Sequence, residues 1–302
     1  MTAQPRPLQG YLAALGTVAI WTGFILISRM GGKSPLTAYD ILALRLAAAS
    51  LLLLPFAKGI PKSARRDRKL WLLTVLAGVL YGVFAYSAFK FAPAAHAAIL
   101  LPGLQPFLIM ACTWLLFSVK PPRERHLGLF IIGAGVLCAA APYILASGGH
   151  WTGTTLVGDG LFLVASTIWA FYTILARRWH YNPWVLTRFV AFGSTAIYLP
   201  IYLLWLPKQI GAAPMSQIII QALYQGIGPT IVAMLLFLKA VSILGAERTG
   251  AMIALVPVLS GIAAVPLLGE PLNAWLIAAL GLVSLGAYLC ARHLPERKHA
   301  AH

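Results

Sequence analysis

IWTGFILISR, at residues 20–29, returns 148 positions further along the chain as IWAFYTILAR, at residues 168–177. Both segments have a tryptophan in second place and an arginine in last place, with mostly apolar residues between them. Eight helical residues span about 12 Å, so each tryptophan lies about 12 Å along the axis from its arginine. The repetition predicts that the chain consists of two related halves.

The whole chain is strongly apolar, since 60% of its 302 residues are hydrophobic and only 10% are charged. A soluble domain carries about 25% charged residues, and about 20 apolar residues suffice for a helix to cross a bilayer. Apolar runs of that length recur from end to end and predict an all-α integral membrane protein in a lipid bilayer. The ten predicted spans are residues 8–28, 36–56, 70–90, 94–118, 126–145, 158–177, 184–206, 216–239, 246–268 and 273–291.

The formal net charge of +16 is distributed unevenly between the two sides of the predicted spans. Of the 23 lysines and arginines, 17 fall on the side of the two termini, four on the opposite side, and Arg45 and Arg188 within spans. The positive-inside rule therefore predicts that both termini are cytoplasmic. The basic balance is explained by topology, and we expect no nucleic-acid partner.

Five spans separate the two ten-residue segments, and because five is odd, the second half must enter the membrane from the opposite face. The stretch from Lys90 to Pro106 corresponds to that from Lys239 to Pro257. We therefore predict a first five-helix repeat at residues 1–147 and a second, inverted repeat at 148–302, forming one integrated membrane domain. Inverted halves around a central site are a recurring plan of secondary transporters, which open alternately to either side.

Three stretches also resemble a known family: Ala19-Ile20-Trp21, the segment from Lys90 to Pro106, and VPVLSGIAAVPLLGEPL from Val256. They are similar to the drug/metabolite transporter superfamily, in particular its ten-helix EamA-type exporters, and most like bacterial exporters of aromatic amino acids. The most specific part is Pro257 followed by Gly269-Glu270-Pro271; the first half has no matching glutamate. The resemblance implies a multi-pass protein of the bacterial inner membrane that exports a small molecule and needs no cofactor.

Polar and aromatic groups at membrane depth provide the candidate site, because such groups are costly in lipid. Trp21 and Trp169 lie near the predicted midplane and are interpreted as two walls of a central cavity; the alternative is that they fill a packing seam. Gln105 lies among Pro102, Gly103 and Pro106, which break the helix and favour a cavity-facing position. The predicted substrate-binding residues are Trp21, Tyr81, His96, Gln105, Trp169, Tyr172 and Tyr224.

Some of these residues, and two arginines within the spans, have alternative interpretations. Tyr81 is either cavity wall or seam filler beside the close-packing pair Gly78 and Gly82. His96 could titrate as a gate or proton carrier, but its position favours a solvated histidine in a short loop. Arg45 and Arg188 could bind a substrate carboxylate, although near helix ends arginines more often snorkel or neutralise a helix C-terminus.

The seven acidic residues all fall at predicted helix ends or in loops, so none is available for a proton or sodium relay at mid-membrane. This distribution favours facilitated export and disfavours cationic substrates, which usually need a buried acid. We expect a monomeric exporter of neutral or zwitterionic metabolites, in the first place amino acids including aromatic ones and methionine. The alternative is a carrier of other metabolites or drugs. Nucleophile, metal and acid-pair motifs are missing from the sequence, so we predict no enzyme activity, catalytic residue or metal.

Overall fold

The computed structural model of the protein describes residues 7–60, 62–145 and 153–292. Within these ranges the chain forms helices joined by short connections, and no β-strand occurs. The predictions for the two termini and for the loop at His150 concern residues outside the described ranges.

The first half contains five helices. These are α1 (Pro7–Gly32), α2 (Ala38–Leu53, extended by the 3₁₀ turn Leu54–Gly59), α3 (Arg68–Phe91), α4 (Ala94–Gly103 and Gln105–Phe117) and α5 (His126–Leu145). The second half contains α6 (Gly153–Arg178), α7 (Pro183–Trp205), α8 (residues 215–244), α9 (residues 246–253 and Val256–Leu268) and α10 (Ala274–Ala291). Short 3₁₀ turns occur at Lys62–Arg66, Arg123–Arg125 and Ile210–Ala212.

The count of ten depends on two interrupted helices. Eight helices in the described ranges are long and apolar enough to cross a membrane, and α4, bent by 42°, gives a ninth. The 39-residue stretch Met215–Ile253 would reach about 58 Å as one helix, roughly twice the hydrocarbon core. It is broken at Gly245, whose φ of 85° and ψ of 164° are not helical. Gly245 therefore separates α8 from α9, and the predicted ten-helix fold is confirmed.

The two halves share their irregularities as well as their helices. α4 bends between Gly103 and Gln105, and α9 is interrupted immediately before Val256, in each case next to a proline of the following segment. Proline lacks the amide hydrogen that a continuous helix needs. The wider π-helical turns Val75–Leu80 in α3 and Gln221–Gln225 in α8 also correspond. The inverted repeat is thus visible where the helices depart from regular geometry.

The halves pack mainly on each other. α1 contacts α8 and α9, and α6 correspondingly contacts α3 and α4. The pairs α2 with α7, α4 with α9 and α5 with α10 join equivalent helices of the two halves. Each pairing is preserved when the halves exchange places, as expected for a repeat with internal two-fold symmetry.

Two predicted boundaries need correction. α6 begins at Gly153 rather than residue 158, so Asp159 lies within the helix and not at its end. α8 continues to residue 244 rather than 239. The α6 extension begins with Gly153 and two threonines, which hydropathy excludes, although the helix continues through them. The α8 extension is mostly apolar, and its end is set by the non-helical Gly245.

Because successive helices run in alternating directions, their ends lie at two opposite faces of the molecule. We call the end that carries Glu270, Asp40 and the start of α4 the Glu270 face, and the end that carries Arg177 and the start of α3 the Arg177 face.

Candidate functional site

A cavity of about 330 Å³ lies where the two halves meet. Its wall is largely apolar and contains two aromatic pairs: Trp21 packs on Phe237 with ring centroids 5.7 Å apart, and Tyr81 packs on Trp169 at 4.8 Å. Each tryptophan therefore contacts an aromatic ring from the other half, α1 with α8 and α6 with α3. Such pairs contribute roughly 0.5–1.5 kcal/mol beyond area burial and form flat apolar surfaces.

Irregular helix segments contribute several residues of the wall or precede them directly. The π-helical turn of α3 ends directly before Tyr81, the turn Ile99–Gly103 contains Pro102, and the turn Gly228–Val232 contains Pro229. A π-helical turn inserts a residue into the helix and changes the direction of the following side chains. These turns explain why the wall combines positions that a regular helix would not align.

Gln105 follows the break in α4 and contributes an amide to the wall. Its nitrogen Nε2 donates hydrogen bonds to the backbone oxygen of Ser166 at 3.0 Å and to its hydroxyl at 2.8 Å. Because a carbonyl oxygen only accepts, the nitrogen must face α6. The other atom, Oε1, is buried and has no hydrogen-bond partner in the described part of the chain. Gln105 therefore has a buried acceptor beside the cavity that no described residue uses.

Arg45 is the single charged residue in this wall among the described residues. Its Nη1 donates to the Tyr86 hydroxyl at 3.1 Å, and that hydroxyl donates to Gln225 Oε1 at 3.2 Å. The guanidinium also lies 5.9 Å from the centre of the Phe24 ring. The sequence favoured an arginine that snorkels or neutralises a helix C-terminus here; this interpretation is wrong, because α2 turns Arg45 towards the cavity about two helical turns below the helix start.

Arg188, the equivalent of Arg45 in the second half, has the role that sequence favoured for both. Its Nη1 donates to the backbone oxygen of Phe56 at 2.8 Å, in the 3₁₀ turn that extends α2, and its guanidinium lies 5.3 Å from the centre of the Trp184 ring. It thus neutralises a helix C-terminus, as positive side chains commonly do. The repeat is symmetric in its backbone but not in this pair of charges.

Of the predicted site residues, Trp21, Tyr81, Gln105 and Trp169 line the cavity, whereas three others lie behind or away from it. His96 is 3% exposed at the start of α4, with Nδ1 2.9 Å from Asp159 Oδ1. A solvated loop histidine is therefore the wrong description. The ring of Tyr172 packs on Trp169 at 5.1 Å, and the Tyr224 hydroxyl donates to the Ile20 backbone oxygen at 3.0 Å.

Comparison with known proteins places this geometry in a family. The model of the EamA-like transporter family matches residues 8–141 and again residues 156–292. The chain belongs to the EamA-like transporter family. Two matches within one chain agree with the inverted repeat, and membership of a transporter family is consistent with the prediction that the chain is not an enzyme.

Two relatives of this EamA-like protein are informative. An uncharacterized transporter of Archaeoglobus fulgidus is 29% identical over 192 residues, which make up 61% of this chain and 63% of that protein. The chain thus covers less than two thirds of that relative's length. A solved crystal structure of 20% identity has a TM-score of 0.62 and covers 93% of this chain and 96% of its own; it shares the fold.

The Glu270 face of this EamA-like protein is held together by a buried carboxylate. Glu270 Oε1 lies 2.5 Å from Arg29 Nε and 3.3 Å from Lys33 Nζ, and its Oε2 accepts the Ala94 amide at 2.7 Å. Arg29 also donates to the backbone oxygen of Phe89 at 2.6 Å. These contacts connect α1, α3, α4 and the end of α9 above the cavity.

A second buried carboxylate, Asp40, acts at the same face. Its Oδ1 accepts the Tyr202 hydroxyl at 2.6 Å, and its Oδ2 accepts the Gln209 amide at 3.0 Å. Asp40 also completes a capping box with Thr37 at the start of α2. The Thr-x-x-Asp spacing is visible in the sequence and could have predicted the cap, but the contacts with α7 depend on the fold.

The Arg177 face has a different character. A shallow depression of about 750 Å³ is lined there by residues such as Lys69, Phe117 and Arg178, and it shares Ile109 with the central cavity. Beside it, the Tyr181 hydroxyl donates to Asp67 Oδ2 at 2.5 Å and lowers the pKa of that carboxyl. Burial and the Asp67 contact raise the pKa of Tyr181 to about 12. This face is open and basic, whereas the Glu270 face is closed by ion pairs.

Proposed function

We propose that this EamA-like protein exports amino acids with apolar or aromatic side chains, methionine included, by alternating access through the central cavity. The observation that carries the proposal is an aromatic-walled cavity between inverted halves, closed at one face by buried carboxylates. Its volume of about 330 Å³ lies at the lower end of the range for small-molecule sites, roughly 300–1,000 Å³. A small metabolite with a flat or apolar side chain suits such a wall.

The orientation of the protein in the membrane follows from the charge distribution. We propose that the Arg177 face is cytoplasmic and that the protein lies in the bacterial inner membrane with both termini in the cytoplasm. A substrate would pass from the basic depression into the cavity near Ile109, which lines both. Release on the other side then requires the contacts of Glu270 and Asp40 to separate, while the halves rock about the cavity. Because one chain supplies both halves, we propose that it acts as a monomer.

The energy source is inferred from the positions of the acids. The cavity wall contains no carboxylate among the described residues, and Asp40, Asp159 and Glu270 are engaged at the Glu270 face. A relay based on a buried carboxylate in the cavity therefore has no candidate there. We propose facilitated export down the substrate gradient.

Counterflow in proteoliposomes tests this function. Vesicles are loaded with unlabelled phenylalanine, methionine or threonine, and uptake of labelled phenylalanine is measured with and without an imposed proton gradient. We expect uptake that is independent of the gradient and strongly reduced in Trp21→Ala and Trp169→Ala. Trp205→Ala, which changes a tryptophan 73% exposed on α7, is the matched control. Folded wild-type protein that exchanges no amino acid would overturn the proposed substrate class.

A further inference from the structure

We infer that Arg45 is the carboxylate-binding residue of the cavity and that this site recognises its substrate through a carboxylate more than through an amino group. The inference rests on the proposed function and specifies the substrate class: small carboxylates with an apolar or aromatic body. It depends on the charge and hydrogen bonding of one side chain.

The charge of Arg45 is not balanced by an acidic residue of the described chain. Arg45 lines a cavity whose other walls are aromatic, aliphatic or uncharged, and no carboxylate of the described chain lies within ion-pair distance of it. A guanidinium in apolar surroundings is costly unless an anion or water compensates it. A substrate carboxylate would supply the missing charge, whereas an amine would add a second positive charge.

Most hydrogen-bond donors of Arg45 are not used within the described chain. An arginine has five N–H groups, and the Arg45 side chain makes one hydrogen bond within the described chain, from Nη1 to Tyr86. The remaining donors form the planar fork that binds carboxylates with two parallel hydrogen bonds.

The guanidinium is also held in place before any substrate binds. Tyr86 is fully buried, its hydroxyl is fixed by Gln225, and Gln225 Nε2 in turn donates to the Ser28 hydroxyl at 2.9 Å. The guanidinium carbon also lies 5.9 Å from the centre of the Phe24 ring, close enough for a cation–π contact. A preorganised arginine loses less conformational entropy on binding than a mobile surface arginine does.

Gln105 adds a weaker preference. Its buried Oε1 accepts no hydrogen bond within the described residues and would reach a substrate only if the side chain moved towards the cavity. An ammonium group could donate to it, but a neutral amide oxygen cannot balance a charge as Arg45 can. We therefore expect phenylalanine to bind best, 3-phenylpropionate to bind somewhat less tightly, and phenylalaninamide to bind far more weakly than either.

The test is equilibrium binding of these three radiolabelled probes to purified full-length protein. Arg45→Gln should weaken binding of phenylalanine and 3-phenylpropionate by about 10- to 100-fold, the range for a lost charged hydrogen bond. Its affinity for phenylalaninamide should equal that of the wild type or be slightly higher. Arg45→Lys should retain part of the affinity. Arg292→Gln, at an exposed arginine that caps α10, is the matched control and should bind like wild type.

A second variant keeps the inference testable if Arg45→Gln does not fold, which thermal unfolding and gel filtration would show. Tyr86→Phe retains Arg45 and removes the hydroxyl that fixes it, so we expect about 2- to 10-fold weaker binding of the two carboxylates only. Folded Arg45→Gln that binds phenylalanine like wild type, or phenylalaninamide bound as tightly as phenylalanine, would overturn the inference.

The results separate this inference from the proposed function. Tight binding of phenylalanine and phenylalaninamide alike would leave amino-acid export in place and remove the role of Arg45. Binding of 3-phenylpropionate without binding of any amino acid would support Arg45 and overturn amino-acid export. If none of the probes binds to folded protein, the inference fails, and counterflow with methionine and threonine decides the proposed function separately.

Discussion

At the scale of single residues, Trp169 has more aromatic contacts than its counterpart Trp21. Trp169 packs on Tyr81 at 4.8 Å and on Tyr172 at 5.1 Å, whereas Trp21 packs on Phe237 at 5.7 Å. Trp169 lines the cavity, and Tyr172, which is not part of the lining, packs against it. The two tryptophans are equivalent in the repeat but differ in how firmly they are held.

This difference gives a prediction about stability. We expect Trp169→Ala to lower the thermal unfolding midpoint more than Trp21→Ala does, because it removes one further aromatic pair, worth roughly 0.5–1.5 kcal/mol. The midpoints are compared in one detergent, with Trp205→Ala as a control that should change little. An equal or larger loss in Trp21→Ala would contradict the interpretation.

Single residues also differ in how far their positions can be predicted from the sequence. Trp21 and Trp169 could be placed at mid-membrane because depth depends only on distance along one helix. The orientation of Arg45 towards the cavity and of Arg188 towards Phe56 could not be distinguished, since both arginines occupy the same position of the repeat. The partner of His96, Asp159, is 63 residues away and belongs to the other half. Contacts between residues so far apart in the chain leave no pattern in the neighbouring sequence.

At the scale of elements, α3 is the helix whose packing depends most clearly on small residues. A Cβ at Gly78 would overlap the Ser194 side chain on α7, and a Cβ at Gly82 would come within 2.5 Å of Leu42 on α2. The pair Gly78 and Gly82 was predicted as a close-packing face, and the structure uses it towards two different helices. Close approach on both sides fixes the position of Tyr81 between them.

Substitution of Gly78 therefore has a predictable effect. We expect Gly78→Ala to reduce the yield of folded protein or lower its unfolding midpoint, because the added methyl group forces α3 away from α7. Gly281→Ala is the matched control: this helical glycine has nothing within 4 Å of a built Cβ, and alanine favours helix by up to about 1 kcal/mol. A Gly78→Ala protein as stable as wild type would show that α7 adjusts without cost.

At the scale of the whole molecule, the closed Glu270 face depends on how α9 ends. Gly269 adopts φ +65° in the left-handed region, which ends α9 and lets Glu270 turn back towards Arg29. Glycine adopts this conformation without the steric cost other residues incur. The Gly-Glu-Pro sequence is thus a helix stop followed by the carboxylate that joins the helices of both halves.

Removal of this carboxylate should loosen the face. In Glu270→Gln we expect the start of α4 to exchange amide hydrogens faster, by about tenfold or more, since charge-assisted hydrogen bonds contribute roughly 1.5–3 kcal/mol. Hydrogen-exchange mass spectrometry of the peptide that contains Ala94 measures this effect. Glu124→Gln, at an exposed acid between α4 and α5, is the control. Unchanged exchange at Ala94 would show that Glu270 does not hold the face closed.

The sequence by itself determined that the chain forms ten helices in two inverted halves, because apolar length, proline positions and the repeated ten-residue segment act within single helices. It also placed Trp21, Tyr81, Gln105 and Trp169 at a depth suited to a common cavity. Only the tertiary structure decided that Arg45 faces this cavity, that Arg188 does not, and that Glu270, Asp40 and Asp159 tie helices together at one face. Those outcomes depend on contacts between residues far apart in the chain. The packing of whole helices against one another determines these contacts.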